Sequence, residues 1–129
     1  MLPEKNGIGL DTAGLPELFD ALVSRGMEPP LVTAVAQGWK LQAAIKSIPL
    51  RLKAKRLLHY GQPMLGWSVG NAKVETVKSN LYITKQLAGA AKIDPVIAML
   101  NAAMLMFENP QARATATPWD TDANYRMAS

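Results

Sequence analysis

The sequence feature that most constrains the fold is an apolar run over residues 95–107, in which Asn101 is the one polar residue. Asp94 and Pro95 mark its start, and an acceptor side chain followed by a proline is typical of a helix N-terminus. The run is too short to cross a bilayer as a helix. It therefore predicts a helix that begins at Asp94, is buried on most of its surface and forms the centre of the core.

Asp94 has two interpretations at this position. The ordinary one is an N-cap, in which the carboxylate only accepts hydrogen bonds from the first turn of the helix. The other is a functional carboxylate fixed at the start of a core helix, close to Lys92 in the chain. This stretch alone leaves both interpretations open, and the rest of the chain has to decide between them.

The N-terminal part of the chain has the pattern of a βαβ unit. Residues 6–11 and 31–36 predict two short apolar strands, and the segment between them predicts a helix that Pro16 opens and Gly26 closes. A unit of this kind occupies about thirty residues. Its strands are expected to be parallel and its crossover right-handed, so the predicted fold class is α/β.

Asp11 stands at the carboxyl end of the first predicted strand. In open α/β sheets, ligands bind outside the carboxyl ends of the strands, which makes Asp11 a candidate site residue. The alternative is a turn residue that caps the following helix. Both interpretations stay open for Asp11 on the sequence alone.

The middle of the chain predicts two helices and a hairpin. A long helix with a basic face is expected over residues 40–58, and Pro49 should kink it or split it in two. A short helix is expected over residues 64–69. Residues 72–77 and 80–85 are β-prone runs on either side of a two-residue turn, which predicts a β-hairpin. The single histidine, His59, lies in a turn and is interpreted as structural.

Composition supports one domain over residues 1–110, because 49% of the 129 residues are apolar. Residues 111–129 are rich in Ala, Thr and Asp and predict a tail that is mobile or held by a partner. The absence of cysteine excludes disulfides and thiolate metal sites. No apolar leader is found, so a cytoplasmic location, that of the host cell, and no membrane partner are expected.

Charge is concentrated in the middle of the sequence. Residues 29–93 contain ten Lys and Arg against one acid, Glu75, a net charge of +9. A field of one sign suggests a polyanionic partner such as nucleic acid, although a solvated basic surface is the simpler alternative. The candidate DNA-binding residues are Lys46, Arg51, Lys53, Lys55, Arg56, Lys73, Lys78, Lys85 and Lys92.

Several motifs occur in an order that resembles a known family. They are Gly9-Leu10-Asp11-Thr12-Ala13-Gly14, Gln37-Gly38-Trp39-Lys40-Leu41, His59-Tyr60-Gly61-Gln62-Pro63 with Trp67, Gly70-Asn71-Ala72-Lys73-Val74, Ile83-Thr84-Lys85 and Lys92-Ile93-Asp94-Pro95. Together they resemble the C-terminal part of the large subunit of tailed-phage terminases. The resemblance extends from about residue 8 to residue 110.

The resemblance implies a function and a site. Terminase large subunits combine an ATPase with an RNase H-like nuclease that cuts concatemeric viral DNA. By resemblance, Asp11 matches the second metal-binding acid and Asp94 the last, so both are expected to be catalytic ligands of Mg²⁺ or Mn²⁺. Lys85 and Lys92 become candidates for contacting phosphate or for tuning these acids. The implied partners are double-stranded DNA and, in the full-length protein, the small terminase subunit or the portal.

The chain also departs from the family. The ATPase and the strand that carries the first catalytic Asp are missing, so the chain resembles a fragment, and the expected fold is a partial RNase H-like α/β domain. An open sheet edge predicts self-association. The competing hypothesis is a non-catalytic remnant that binds DNA or self-associates, in which Asp11 and Asp94 are only caps.

Overall fold

The computed structural model describes residues 2–86 and 91–111. In chain order its elements are β1 (Ile8–Asp11), α1 (Leu15–Ser24), β2 (Val32–Val35), α2 (Gln42–Lys53), α3 (Pro63–Asn71), β3 (Ala72–Val77), β4 (Asn80–Lys85) and α4 (Asp94–Phe107). Short 3-10 helices, Pro29–Leu31 and Gly38–Leu41, precede β2 and α2. This mixture of strands and helices confirms the α/β class. The predicted tail lies outside the described residues from position 112 onward.

The βαβ unit is confirmed. β1 and β2 pair in parallel, with Ile8 opposite Val32 and Asp11 opposite Val35. Helix α1 connects them and ends just before Gly26, whose φ of +90° is a conformation that glycine adopts without a steric penalty. β1 and β2 end at the same level, so Asp11 and Val35 lie side by side at the carboxyl end of this sheet.

Helix α2 differs from the prediction at its C-terminal end. Of the two alternatives predicted at Pro49, the split is wrong, because the helix continues through Pro49 as one element. The helix ends at Lys53, not near residue 58. The chain leaves the helix at Lys55, whose φ is +55°. A residue in the left-handed conformation stops helical hydrogen bonding. Because this residue is a lysine and not a glycine, the sequence contains no signal for the helix end here.

The hairpin is confirmed in its strands and its turn. β3 and β4 are antiparallel, and Val77 lies opposite Asn80. The two turn residues, Lys78 and Ser79, have φ values of +47° and +69°. Positive φ at both central positions describes the type I′ turn, whose twist matches that of the flanking strands.

Helix α4 is the centre of the core, as predicted, and one stripe of its surface is exposed. It packs against α2, α3 and β1. Val96, Leu100 and Asn101 are buried, whereas Met106 is 57% exposed. The exposed residues of α4 are Asp94, Ala98, Ala102, Met106 and Phe107, and the other nine are buried or half-buried. Most of the helix is therefore covered, in agreement with the prediction, and one stripe is exposed. Val96 and Leu100 of α4 share one buried core cluster with Val35, Leu41, Ala44, Ile45 and Ile48.

Candidate functional site

Asp11 is the last residue of β1 and is exposed. Its Oδ1 accepts a hydrogen bond from the backbone N–H of Ala13 at 3.0 Å, which closes an Asx turn after the strand. The N-cap of α1 is Gly14, so Asp11 stabilises the turn without capping the helix itself. Within the part of the chain that the structure describes, Oδ2 has no hydrogen-bond partner and is free to accept a ligand.

Asp94 is the first residue of α4 and not its N-cap, which corrects the predicted position by one residue. Ile93 is the N-cap, and its carbonyl accepts the first helical hydrogen bond from Ile97 N–H at 3.0 Å. No side chain caps this helix. Among residues 2–86 and 91–111, the exposed Asp94 carboxylate makes no hydrogen bond or ion pair. Its negative charge is favoured by the positive end of the helix dipole.

The elements that carry the two acids are packed together. A Cβ built on Gly9 in β1 would lie 3.1 Å from Leu105 Cδ1 in α4, so the strand backbone approaches the helix closely. At the start of the strand, Asn6 Nδ2 donates to Glu108 Oε2 at 3.2 Å. The structure thus brings β1 onto α4. The meeting of the Asp11 and Asp94 carboxylates on one metal pair stays a prediction.

One polar contact at this junction was missed at the sequence level. Gln37 Nε2 donates to the carbonyl of Val35 and to Oδ1 of Asn101, both at 2.9 Å. Asn101 is 3% exposed, so it is a polar side chain inside the core. The signal was its position as the one polar residue in the apolar run, but its partner lies 64 residues away in sequence.

The donors at this site suit a hard divalent cation. Mg²⁺ and Mn²⁺ prefer carboxylate oxygen and retain several waters, and both acids offer unshared oxygens to solvent. In the described residues, no group of three or more His, Asp or Glu side chains is close enough together to hold a metal ion. Asp11 and Asp94 could therefore supply at most a partial ligand set from this part of the chain.

The predicted DNA-binding residues lie on neighbouring elements, since α2 packs against β4. Two of them are engaged within the chain. The Arg51 guanidinium lies 5.1 Å from the centre of the Phe107 ring, a cation–π distance that ties α2 to α4. Lys73 Nζ lies 3.1 Å from Glu75 Oε1. The others are exposed and have no ion pair among the described residues: Lys46, Lys53, Lys55, Arg56, Lys78, Lys85 and Lys92.

His59 acts within its own turn. Its Nδ1 accepts a hydrogen bond from the backbone N–H of Gly61 at 3.0 Å, and Gly61 has a φ of +66°. The side chain thus supports a local reversal of the chain between α2 and α3, in agreement with a structural role.

Comparison with protein-family models gives a match over most of the chain. The family model described as terminase large subunit, endonuclease domain, matches residues 6–109, a range that contains both acids and all the exposed basic residues named above. Neither the curated proteins nor the solved structures give a match. In the described residues, no helix is both long and apolar enough to span a membrane.

Proposed function

Because this chain belongs to the terminase large subunit endonuclease domain family, we propose that it is part of the metal-dependent nuclease that cuts concatemeric viral DNA during phage packaging. The family implies a nuclease role and an interaction with DNA. The proposal adds an RNase H-like arrangement of the domain, its place in the C-terminal part of the nuclease, and two named metal ligands.

Asp11 and Asp94 are the proposed ligands of Mg²⁺ or Mn²⁺. When bound, a divalent ion supplies positive charge beside the scissile phosphate and helps to generate a nucleophile from water. The role of the chain is to hold the two carboxylates at fixed positions. The Asx turn holds Asp11 through Oδ1 and leaves Oδ2 available, and the first turn of α4 holds Asp94 at a helix end that favours negative charge.

The exposed lysines and arginine are proposed to hold the DNA backbone. Contacts to phosphate position a duplex without reading its sequence, which suits an enzyme that cuts concatemers. Lys53, Lys55 and Arg56 lie together where α2 ends, and Lys78 is at the hairpin turn. Lys85 and Lys92 are the proposed phosphate contacts nearest in sequence to Asp94.

The observation that carries the proposal is the state of Asp94. It is an exposed carboxylate at the start of a core helix, it makes no capping hydrogen bond, and it lies inside the matched range. A residue kept only as a cap would accept a hydrogen bond from the first helical turn. The helix dipole favours any negative charge in the first turn. Metal binding in addition gives a role to carboxylate oxygens that make no capping hydrogen bond.

A non-catalytic role is the second candidate, and one observation favours it. Asp11 and Asp94 have no third acid or histidine grouped with them in the described residues. In addition, β1 and β2 form a sheet of two strands with no further strand paired to it there, which leaves an edge for self-association. In this case the chain would bind DNA or a second copy without cutting. Under either proposal, the protein acts in the host cytoplasm, and the full-length protein contacts the small terminase subunit or the portal.

Mn²⁺ binding, measured by the EPR signal of free Mn²⁺, tests the site directly. The parent chain should bind Mn²⁺ weakly, and Asp11→Asn and Asp94→Asn should each lower the affinity further. Asp20→Asn is the matched control, because Asp20 is an exposed acid on α1 outside the proposed site. Equal affinities for all three variants and the parent would contradict a site at Asp11 and Asp94.

A further inference from the structure

The Gln37–Asn101 hydrogen bond connects the end of the sheet that carries Asp11 to α4, the helix that begins with Asp94. Gln37 follows β2 by two residues, and its Nε2 is bonded to the carbonyl of Val35. Val35 is the register partner of Asp11, so this hydrogen bond lies at the strand ends that carry the acid. The same nitrogen donates to Asn101 on α4. A directional contact therefore links the carboxyl end of the sheet to the helix.

Asn101 also has a fixed relation to Asp94. The two residues are seven positions apart on one helix, which is close to two full turns and about 10 Å along the axis. They therefore lie on the same side of α4. A rotation of α4 about its axis or a slide along it would move Asp94 and break the bond at Asn101 together.

The other directional contacts around α4 in the described residues lie at its two ends. Asn6 donates to Glu108 and Arg51 lies over Phe107 at the C-terminal end, and Asn71 donates to the carbonyl of Lys92 before the N-terminal end.

The middle of the helix depends on other contacts. The buried neighbours of Asn101 on α4 are apolar, and apolar contact is non-directional. Burying an amide is unfavourable unless it is hydrogen-bonded, so a leucine would fill the same space at lower cost. A polar side chain at this position favours one arrangement of the helix over others, at a cost in stability. Single buried polar residues fix the register of paired helices in the same way.

We infer that Gln37 and Asn101 are positioning residues, whose amide contact fixes the rotation of α4 and thereby the location of Asp94 relative to Asp11. This inference rests on the proposed function for its consequence in metal binding. The arrangement of α4 against the carboxyl end of the sheet can be measured without any metal.

The test uses spin labels on a chain that has no natural cysteine. Thr12→Cys and Ala98→Cys place labels at two exposed positions, one beside Asp11 and one a helical turn beyond Asp94. Dipolar EPR then gives the distribution of distances between the two elements. Asn101→Leu and Gln37→Met remove the amide contact while keeping side chains of similar size.

Leu100→Ala is the matched control, because Leu100 is 2% exposed and its loss destabilises the same helix without touching the amides. The expected result is a distance distribution that broadens or shifts by several ångström in Asn101→Leu and Gln37→Met and stays parental in Leu100→Ala. Parental distributions in both amide variants, with folding verified by circular dichroism, would overturn the inference.

Mn²⁺ affinity provides the second measurement. Groups that hydrogen-bond metal ligands directly change affinity by about 10- to 100-fold when mutated. Gln37 and Asn101 act through the position of α4, so a loss at the lower end, about tenfold, is expected in each amide variant. If the parent chain binds no Mn²⁺, the proposed function fails while the EPR distances still decide the positioning role. If affinity falls and distances do not change, the positioning role is wrong although the metal site stands.

Discussion

Gly9 controls how closely β1 approaches α4, and replacing it by alanine tests the packing of the two elements that carry Asp11 and Asp94. A Cβ at this position would lie 2.8 Å from Val35 Cγ2 and 3.1 Å from Leu105 Cδ1. Carbon atoms in favourable contact are about 3.5–4.0 Å apart. The methyl group would therefore overlap Val35 by roughly 0.7 Å, and Val35 is a buried, β-branched side chain with little rotamer freedom.

The magnitude follows from two opposing terms. Overpacking a core by a methyl group costs about 1–3 kcal/mol. Replacing a glycine in a strand by alanine reduces the conformational entropy of the unfolded chain, which stabilises the folded state by about 0.5–1 kcal/mol. The central values leave Gly9→Ala destabilised by about 1 kcal/mol, equivalent to a fall in Tm of roughly 4 °C, between the ranges for smaller and for larger domains.

Gly66→Ala is the matched control, since it is the same chemical change with the opposite expected sign. Gly66 lies inside α3, and a Cβ built on it meets no atom within 4 Å. Alanine is the better helix former by about 0.8–1.0 kcal/mol, so this variant should be more stable than the parent. Urea unfolding of the two variants gives both values from one assay. A Gly9→Ala variant as stable as the parent would refute the close packing of β1 on α4.

Three further predictions concern DNA and metal. Replacing Lys53, Lys55 and Arg56 by alanine should weaken DNA binding equally for all sequences and reduce the dependence of the affinity on salt. Fluorescence anisotropy at several salt concentrations measures both effects, and an effect confined to one DNA sequence would contradict contact with the backbone. The 129-residue chain alone should nick supercoiled plasmid poorly with Mn²⁺, because Asp11 and Asp94 are too few ligands; robust nicking that Asp94→Asn abolishes would show that they suffice. In a crystal structure with Mn²⁺, these two carboxylates should lie about 4–8 Å apart, and positions on opposite faces of the domain would end their interpretation as the nuclease site.

Local features of the fold could be predicted from the sequence because their causes are local. The hairpin follows from two β-prone runs around Lys78 and Ser79, and the βαβ unit follows from Pro16, Gly26 and the apolar runs on either side. The end of α2 could not be predicted in the same way. It depends on a left-handed Lys55, a conformation that the tertiary structure imposes on a residue with no preference for it.

Features that depend on distant parts of the chain were predicted least well. The apolar pattern of α4 indicates which residues can be buried, but whether Met106 is covered depends on which elements are available to cover it. The pairing of Gln37 with Asn101 needs a contact across 64 residues, and no spacing rule relates them. The two acids were identified as candidates by strand ends, helix starts and family resemblance, since neither has a distinctive local motif.

A series of substitutions at Asp94 separates a structural role from a functional one. If the Asp94 side chain stabilised α4 as a cap, Asp94→Ser would retain the stability of the parent, because serine caps as well as aspartate, and Asp94→Ala would lose about 1 kcal/mol. The structure predicts a different result. Since the carboxylate makes no capping hydrogen bond, serine and alanine should have the same free energy of unfolding.

Both substitutions should lose the charge interaction with the helix dipole, about 0.3–1 kcal/mol, and this loss should shrink at high salt. Both should also lower Mn²⁺ affinity to the same extent, because neither side chain replaces a carboxylate ligand. Urea unfolding at two salt concentrations and Mn²⁺ titration measure the two properties on the same samples. A stable Asp94→Ser and an unstable Asp94→Ala, both with parental Mn²⁺ affinity, would assign Asp94 to the helix alone and remove it from the proposed site.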